Sequence, residues 1–336
     1  MSVQSPTQAK ITAVASFPPE YFLESLAARE DGSLLIGVLS PHELWYIPPL
    51  DAHLMVEPEP VLLFTFSQCT MGIAEAESDV FYIATSPVDA YQSAARLGRS
   101  FTSHDSYLHR LDLRGWAAGT PVAAEAVLRF PEPATGLNGA CVITPQVVLI
   151  ADSFAGLVWR VDIPSGNGKV TARVWLKHDS MASDPDGPMP DQPGVNGVQY
   201  AAKTNYLYYT TTAQQLFMRV RVDPETHDPA GEPEFVAGGM MGDDFCIDED
   251  AAVAYVATHR QNTIDRVSLE PSENSYVRHS IAGKPFTEQL IGPTNGVWGR
   301  GNDDYGQVAY FQGDGGTLAP PHGLAAQPAT VFRIEL

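Results

Sequence analysis

Six residues stand directly ahead of short apolar runs along this chain: Glu24, Met71, Asn138, Asn196, Asp243 and Asn295. They recur roughly every 45 to 65 residues. Five of their contexts read Leu23-Glu24-Ser25-Leu26, Gly136-Leu137-Asn138-Gly139, Gly194-Val195-Asn196-Gly197, Gly242-Asp243-Asp244-Phe245 and Pro293-Thr294-Asn295-Gly296. Two chemistries fit this pattern. In one, glycine lets the backbone bend into a strand and asparagine caps it. In the other, carboxylates and amides from separate segments converge on a hard cation, which takes several oxygens at about 2.3 to 2.6 Å. The second demands elements that carry distant positions to a common centre.

Those elements are legible as a repeat. Ser33 to Ile47, Asp79 to Leu113, Gln146 to Ile163, Asn205 to Val222, Ala252 to Leu269 and Gln307 to Leu336 each read as an apolar strand, a turn and a second strand. Cores such as Val148-Leu149-Ile150 and Leu207-Tyr208-Tyr209 are rich in β-branched and aromatic residues. The period is about that of a four-stranded propeller blade, which cannot bury both faces without neighbours. The expected fold is all-β, a six-bladed β-propeller of four-stranded blades, with residues 1–336 as one domain. Ile11 to Phe17 and the alternating Thr330 to Leu336 are expected to share the last blade and close the ring, since an unpaired edge invites aggregation. Loops between second and third strands emerge at the mouth where the inner strands begin. Four are tight, around His42, Ala155, Ala213 and Gln261. Ser86 to Ser106 and Gly313 to Pro328 are long, as is the inter-blade segment His178 to Val195. Long loops in a compact fold are often lids or binding loops.

Forty acidic against twenty basic residues give a formal charge of −20, which repels phosphate backbones and anionic lipid. Nucleic acid is therefore excluded as a partner. Met1 to Lys10 lacks the apolar segment of a signal peptide and no run is long enough to span a bilayer, so a cytoplasmic protein is expected. Cys69, Cys141 and Cys246 are too few and too scattered for a disulfide framework or a zinc site. Cys141 and Cys246 read as core thiols, with a bridge from Cys69 left open.

On Glu24, Leu137-Asn138-Gly139, Asn196-Gly197 and above all Asp243-Asp244-Phe245-Cys246-Ile247-Asp248, the chain resembles the gluconolactonase, regucalcin and luciferin-regenerating-enzyme-like six-bladed propellers over essentially its full length. The resemblance implies one calcium-like divalent cation on Glu24, Asn138, Asn196 and Asp243, with Asp243 also the general base of a lactonase. The departures are specific. Asp244 replaces the family's glycine, Ser25-Leu26 follows Glu24, and no arginine stands near Asn138 where sugar lactonases often carry one. Met71, Met240, Met241, Phe245 and Trp298 are expected to crowd the rim, and an apolar lining suits a hydrophobic small molecule better than a polyol.

Fungal proteins resembling this family include cyclases that guide hetero-Diels-Alder couplings in secondary metabolism. That analogy gives the leading expectation, a cyclase needing no redox cofactor, which accelerates by orienting two reactants and excluding water. Asn196, Asp243, Asp244 and Asn295 are its expected catalytic groups; Thr70, Met71, Met241, Phe245, Trp298 and the loop histidines His104 and His322 are expected to contact substrate. The alternatives are a metal-dependent lactonase or esterase and a non-catalytic binding propeller. No dinucleotide fingerprint, P-loop or Gly-x-Ser-x-Gly elbow appears, and Ser153 after Asp152 reads as a turn residue.

Overall fold

A computed structural model describes residues 8–50, 58–87, 105–166, 168–184, 192–271, 278–285 and 287–336. Strand β1 (Lys10–Phe17) precedes the first blade, which comprises β2 (Phe22–Ala28), β3 (Leu34–Ser40), β4 (Glu43–Ile47) and β5 (Val61–Thr65). The second holds β6 (Cys69–Glu77), β7 (Val80–Ser86), β8 (Tyr107–Asp112) and β9 (Ala124–Arg129). The third holds β10 (Leu137–Thr144), β11 (Val147–Asp152), β12 (Leu157–Asp162) and β13 (Thr171–Lys177). The fourth holds β14 (Val195–Ala201), β15 (Tyr206–Thr211), β16 (Leu216–Arg221) and β17 (Glu234–Gly238). The fifth holds β18 (Gly242–Asp248), β19 (Val253–Thr258), β20 (Thr263–Ser268) and β21 (His279–Gly283). The sixth, β22 (Pro293–Trp298), β23 (Val308–Gly313) and β24 (Ala329–Glu335), is completed by β1 as its outer strand.

Each blade is an antiparallel sheet, and the inner strands β2, β6, β10, β14, β18 and β22 contact one another in cyclic order. This is the six-bladed all-β propeller that the repeat predicts, closed by the pairing of Lys10 to Phe17 with Glu335 to Ala329. Second strands sit between neighbouring blades, so both faces are covered. Every residue of β7, β11, β19 and β23 is buried, which explains their continuous apolar runs. The outer strand β13 instead is largely open to solvent, with Trp175 its one buried residue. Among the described residues of the segment expected as loop, Asp179–Met181 form a 3-10 turn. Among the described residues no helix is long and apolar enough to cross a membrane.

All six inner strands share one irregularity, and it positions the site. The β2–β3 register shifts around Leu23 and Ser25, β6–β7 between Thr70 and Ile73, and β10–β11 between Leu137 and Ala140. In β14, β18 and β22 the shifts fall between Val195 and Val198, Gly242 and Phe245, and Pro293 and Asn295. A β-bulge re-aims side chains and breaks strict alternation. Here it lies at the axial residue of every blade.

Candidate functional site at the propeller axis

Glu24, Asn138, Asn196, Asp243, Asp244 and Asn295 all lie on inner strands at their bulges, and all are at least nine-tenths buried. The amides of Asn138 and Asn196 are held by hydroxyls just beyond the second strands, that of Asn295 by the neighbouring inner strand. Asn138 Nδ2 donates to Ser153 Oγ at 3.0 Å, and that hydroxyl donates to Val195 O at 2.7 Å, at the entry of the next blade. Asn196 Nδ2 likewise donates to Thr212 Oγ1 at 3.0 Å, which donates to Gly242 O at 2.7 Å. Asn295 Nδ2 donates to Asp244 Oδ2 at 2.9 Å, while Asp244 Oδ1 accepts the Phe245 N–H at 2.8 Å. These links run from blade to blade around the axis and fix the ring.

The glycines after Asn138 and Asn196 serve close approach rather than bending, since neither has a positive φ. A β-carbon on Gly139 would fall 2.7 Å from Asn196 O, and one on Gly197 would fall 2.7 Å from Asp244 Cα. Only a residue without Cβ lets adjacent inner strands pack this tightly. Gly72 meets Asn138 O in the same manner, at 2.4 Å.

Two residues that the sequence reading did not single out complete the cluster. His259 follows β19 and Asp314 follows β23; both are buried, with His259 Nε2 3.3 Å from Asp314 Oδ2. The amides of Gly316 and Leu318 also donate to Asp314. Burial works against a charge on His259, yet Asp314 and Asp243 hold its pKa above the usual imidazole value. Burial would raise Asp314, but His259 and the two amides bring it below the ordinary range. Ser153, Thr212, His259 and Asp314 each stand just beyond an apolar second strand, and that shared position was the available signal. Ser153 closes a turn, as read, and also holds the ring.

The carboxylates are crowded. Burial, then Asp244 and Asp314, push Glu24 up to about 8. Burial, then Glu24, raise Asp243 against the opposing pull of His259 and the Asn196 side chain. Burial pushes Asp244 up to about 7. Asn196 Oδ1 and Asn295 Oδ1 are buried without a partner. Acids driven towards their neutral form beside an orphaned amide oxygen make an oxygen-rich donor set only partly offset by His259, and hard cations take such oxygens. Among the described residues no three His, Cys, Asp or Glu side chains form a metal cluster by themselves. Amide oxygens would have to complete it, and Glu24, Asn138, Asn196 and Asp243 fit on those terms.

The expected substrate contacts are dispersed. Met71 is fully buried in the packing of the second and third blades. Phe245 is fully buried in the fifth, edge-on to Phe217 with ring centroids 5.1 Å apart. Both belong to the walls between sheets because the bulge turns them away from the axis. Thr70 is buried, its Oγ1 unpartnered. Met241 is half-buried, its N–H donating to Gln261 Oε1. Trp298 lines the opposite mouth, and His322 is exposed. His104 lies outside the described residues. Cys141 and Cys246 are buried thiols with pKa values raised by burial, and Cys69 is equally buried.

No protein-family model and no curated protein matches the sequence, whereas solved structures match the fold. A luciferin-regenerating enzyme superposes with a TM-score of 0.67 at 11% identity, covering 98% of this chain and 95% of the other. A gluconolactonase from Xanthomonas campestris gives 0.62 at 12%, covering 98% and 89%. Regucalcin from Agrobacterium tumefaciens, a calcium-binding protein, gives 0.59 at 16%, covering 96% and 93%. The chain therefore shares the six-bladed propeller fold of the proteins whose motifs it resembles.

Proposed function

We propose that the axial ring binds one divalent cation and that the protein is a small-molecule enzyme hydrolysing a lactone or ester. The observation that carries this reading is the buried union of Glu24 and Asp243 with the unpaired Oδ1 of Asn196. The fold shared with a gluconolactonase and a calcium-binding regucalcin supports it. A cation on Glu24, Asn138, Asn196 and Asp243 would polarise the ester carbonyl. Asp243 then takes a proton from the attacking water and returns it to the leaving alkoxide, so water adds across the acyl–oxygen bond. Against the effect of burial, Asp314 raises the pKa of His259 above the usual imidazole value, and the imidazole pulls Asp243 towards its basic form. Closed pairing of β1 with β24 supports treating residues 1–336 as one domain.

A second reading, a cyclase of a hydrophobic natural-product intermediate working without redox cofactor, draws on a different observation. The loop leaving β23 at the ring end exposes Leu318 and Leu324. Thr317 Oγ1 bonds to Pro19 O and Tyr21 O, tying that loop to the entry of β2. Apolar side chains there suit a greasy substrate, whose carbonyl would accept from a side-chain amide of the ring such as that of Asn196.

Chelation separates the readings. On a panel of aliphatic and aryl lactones, EDTA abolishes hydrolysis, calcium restores it, and Asp243→Asn lowers kcat by about 10²- to 10⁴-fold, the contribution of a general base. Full hydrolysis in the chelated protein refutes the metal dependence, and no hydrolysis of any lactone with or without calcium refutes the hydrolase and leaves the cyclase.

A further inference from the structure

The turn from His259 to Asn262 joins β19 to β20 at the ring end of the fifth blade, because Thr258, the last residue of β19, pairs with Gly242 directly before Asp243. Arg260 lies in that turn, and its charge reaches His259, where it opposes protonation. It is half-buried. No hydrogen bond or ion pair joins its guanidinium to any described residue. Nε is shut in without an acceptor, while the two Nη groups are not enclosed and form the open end of the fork. Other arginines of this acidic chain are placed differently: Arg29, Arg160, Arg219 and Arg278, buried or half-buried like Arg260, all hold carboxylates. Asp314, beside His259, is already engaged by His259 and by the amides of Gly316 and Leu318. A partly buried charge without a partner is unfavourable, and a native fold that keeps one offers it to an occupant. Apolar surface adjoins it. Phe22 packs on the His259 ring with centroids 5.5 Å apart, and Gln261 Oε1 holds the Met241 N–H. Leu318 and Leu324 are exposed on the loop that begins at Asp314.

We infer that Arg260 is the anion-binding residue of the ring mouth, and that the substrate taken there is an apolar lactone or ester carrying a free carboxylate. This names the substrate class for the hydrolytic reading and rests on the ring being the catalytic centre. The two Nη groups match the two oxygens of a carboxylate, and the apolar body of the ligand meets Met241 and Leu318. A neutral ligand leaves the guanidinium as unpaired as it is in the free protein. A phosphate monoester brings nearly two negative charges to one guanidinium beside Asp314 and Asp243, and is the poorer match.

Calorimetry on the full chain with 4-phenylbutyrate, 4-phenylbutanamide and phenyl phosphate tests the site without requiring turnover, in calcium and again in EDTA. The carboxylate binds saturably in both buffers, about tenfold or more tighter than the amide or the phosphate, as a charge-assisted pair predicts. In Arg260→Gln the acid and the amide bind equally. Arg260→Lys, which keeps the charge and loses the fork, retains only part of the preference. In turnover of paired lactones with and without a carboxylate, the acid-over-neutral ratio of kcat/KM falls about tenfold in Arg260→Gln. Absent binding of the acid to the native protein, equal or tighter binding of the amide or phosphate, a preference that survives in Arg260→Gln, or an unchanged kcat/KM ratio overturns the inference. If no lactone is hydrolysed while the acid preference and its loss in Arg260→Gln both stand, the hydrolytic reading fails and the anion site remains.

Discussion

Glu24 reports the state of the axial ring through its proton. An unfolded glutamic acid titrates near 4.5, whereas burial and the neighbouring acids push Glu24 up to about 8. Between those values the cation-free fold keeps a proton that the unfolded chain has released. The associated stabilisation is complete below the unfolded value and is lost as pH rises through the folded one. Asp244, pushed to about 7, acts in the same direction. In EDTA the melting temperature therefore falls between about pH 6 and pH 8.5, and Glu24→Gln removes much of that slope. Calcium flattens it too, by favouring the ionised ring. A level or rising profile in EDTA contradicts the buried-acid description. Glu24, Asn138, Asn196 and Asp243 were legible in the sequence because equivalent positions repeat. His259 and Asp314 were not, because their partnership spans two blades and each sits in a different loop context.

At the scale of elements, the bulged inner strand is the device that aims the site. Its glycines are structural in a definite sense. A β-carbon on Gly197 would lie 2.5 Å from Asp244 Oδ1 as well as against the Asp244 backbone. Gly197→Ala should thus cost about 1 to 3 kcal/mol, the usual range for forced overpacking. Urea denaturation measures the loss, and calcium titration should show weaker binding in the same variant as β14 moves from β18. Unchanged stability would mean that the inner strands can separate without consequence. The strands themselves were readable from apolar runs such as Val148-Leu149-Ile150. Their bulges were not, because one unpaired residue leaves no mark in a continuous apolar pattern. That is why Met71 and Phe245, expected at the rim, lie in the walls.

At the scale of the whole molecule, closure depends on β1. Val14, Ala15 and Phe17 are buried against the sixth and first blades, and Val14 with Phe17 alone represent about 3 to 6 kcal/mol of apolar burial. Deleting residues 1–17 exposes the edge of β24 as well. The truncated chain should lose its cooperative thermal transition or aggregate, as light scattering during a melt would register. A soluble truncation that melts like the full chain would show that the ring closes without its N-terminal strand. The sequence by itself determined the number of blades and the shared last blade, because strand pattern and repeat spacing are local properties. Only the tertiary structure decided which side chains reach the axis. It joined His259 to Asp314. Those outcomes follow from bulges and from the radial meeting of sheets, where a residue's direction is set by neighbours far away in the chain.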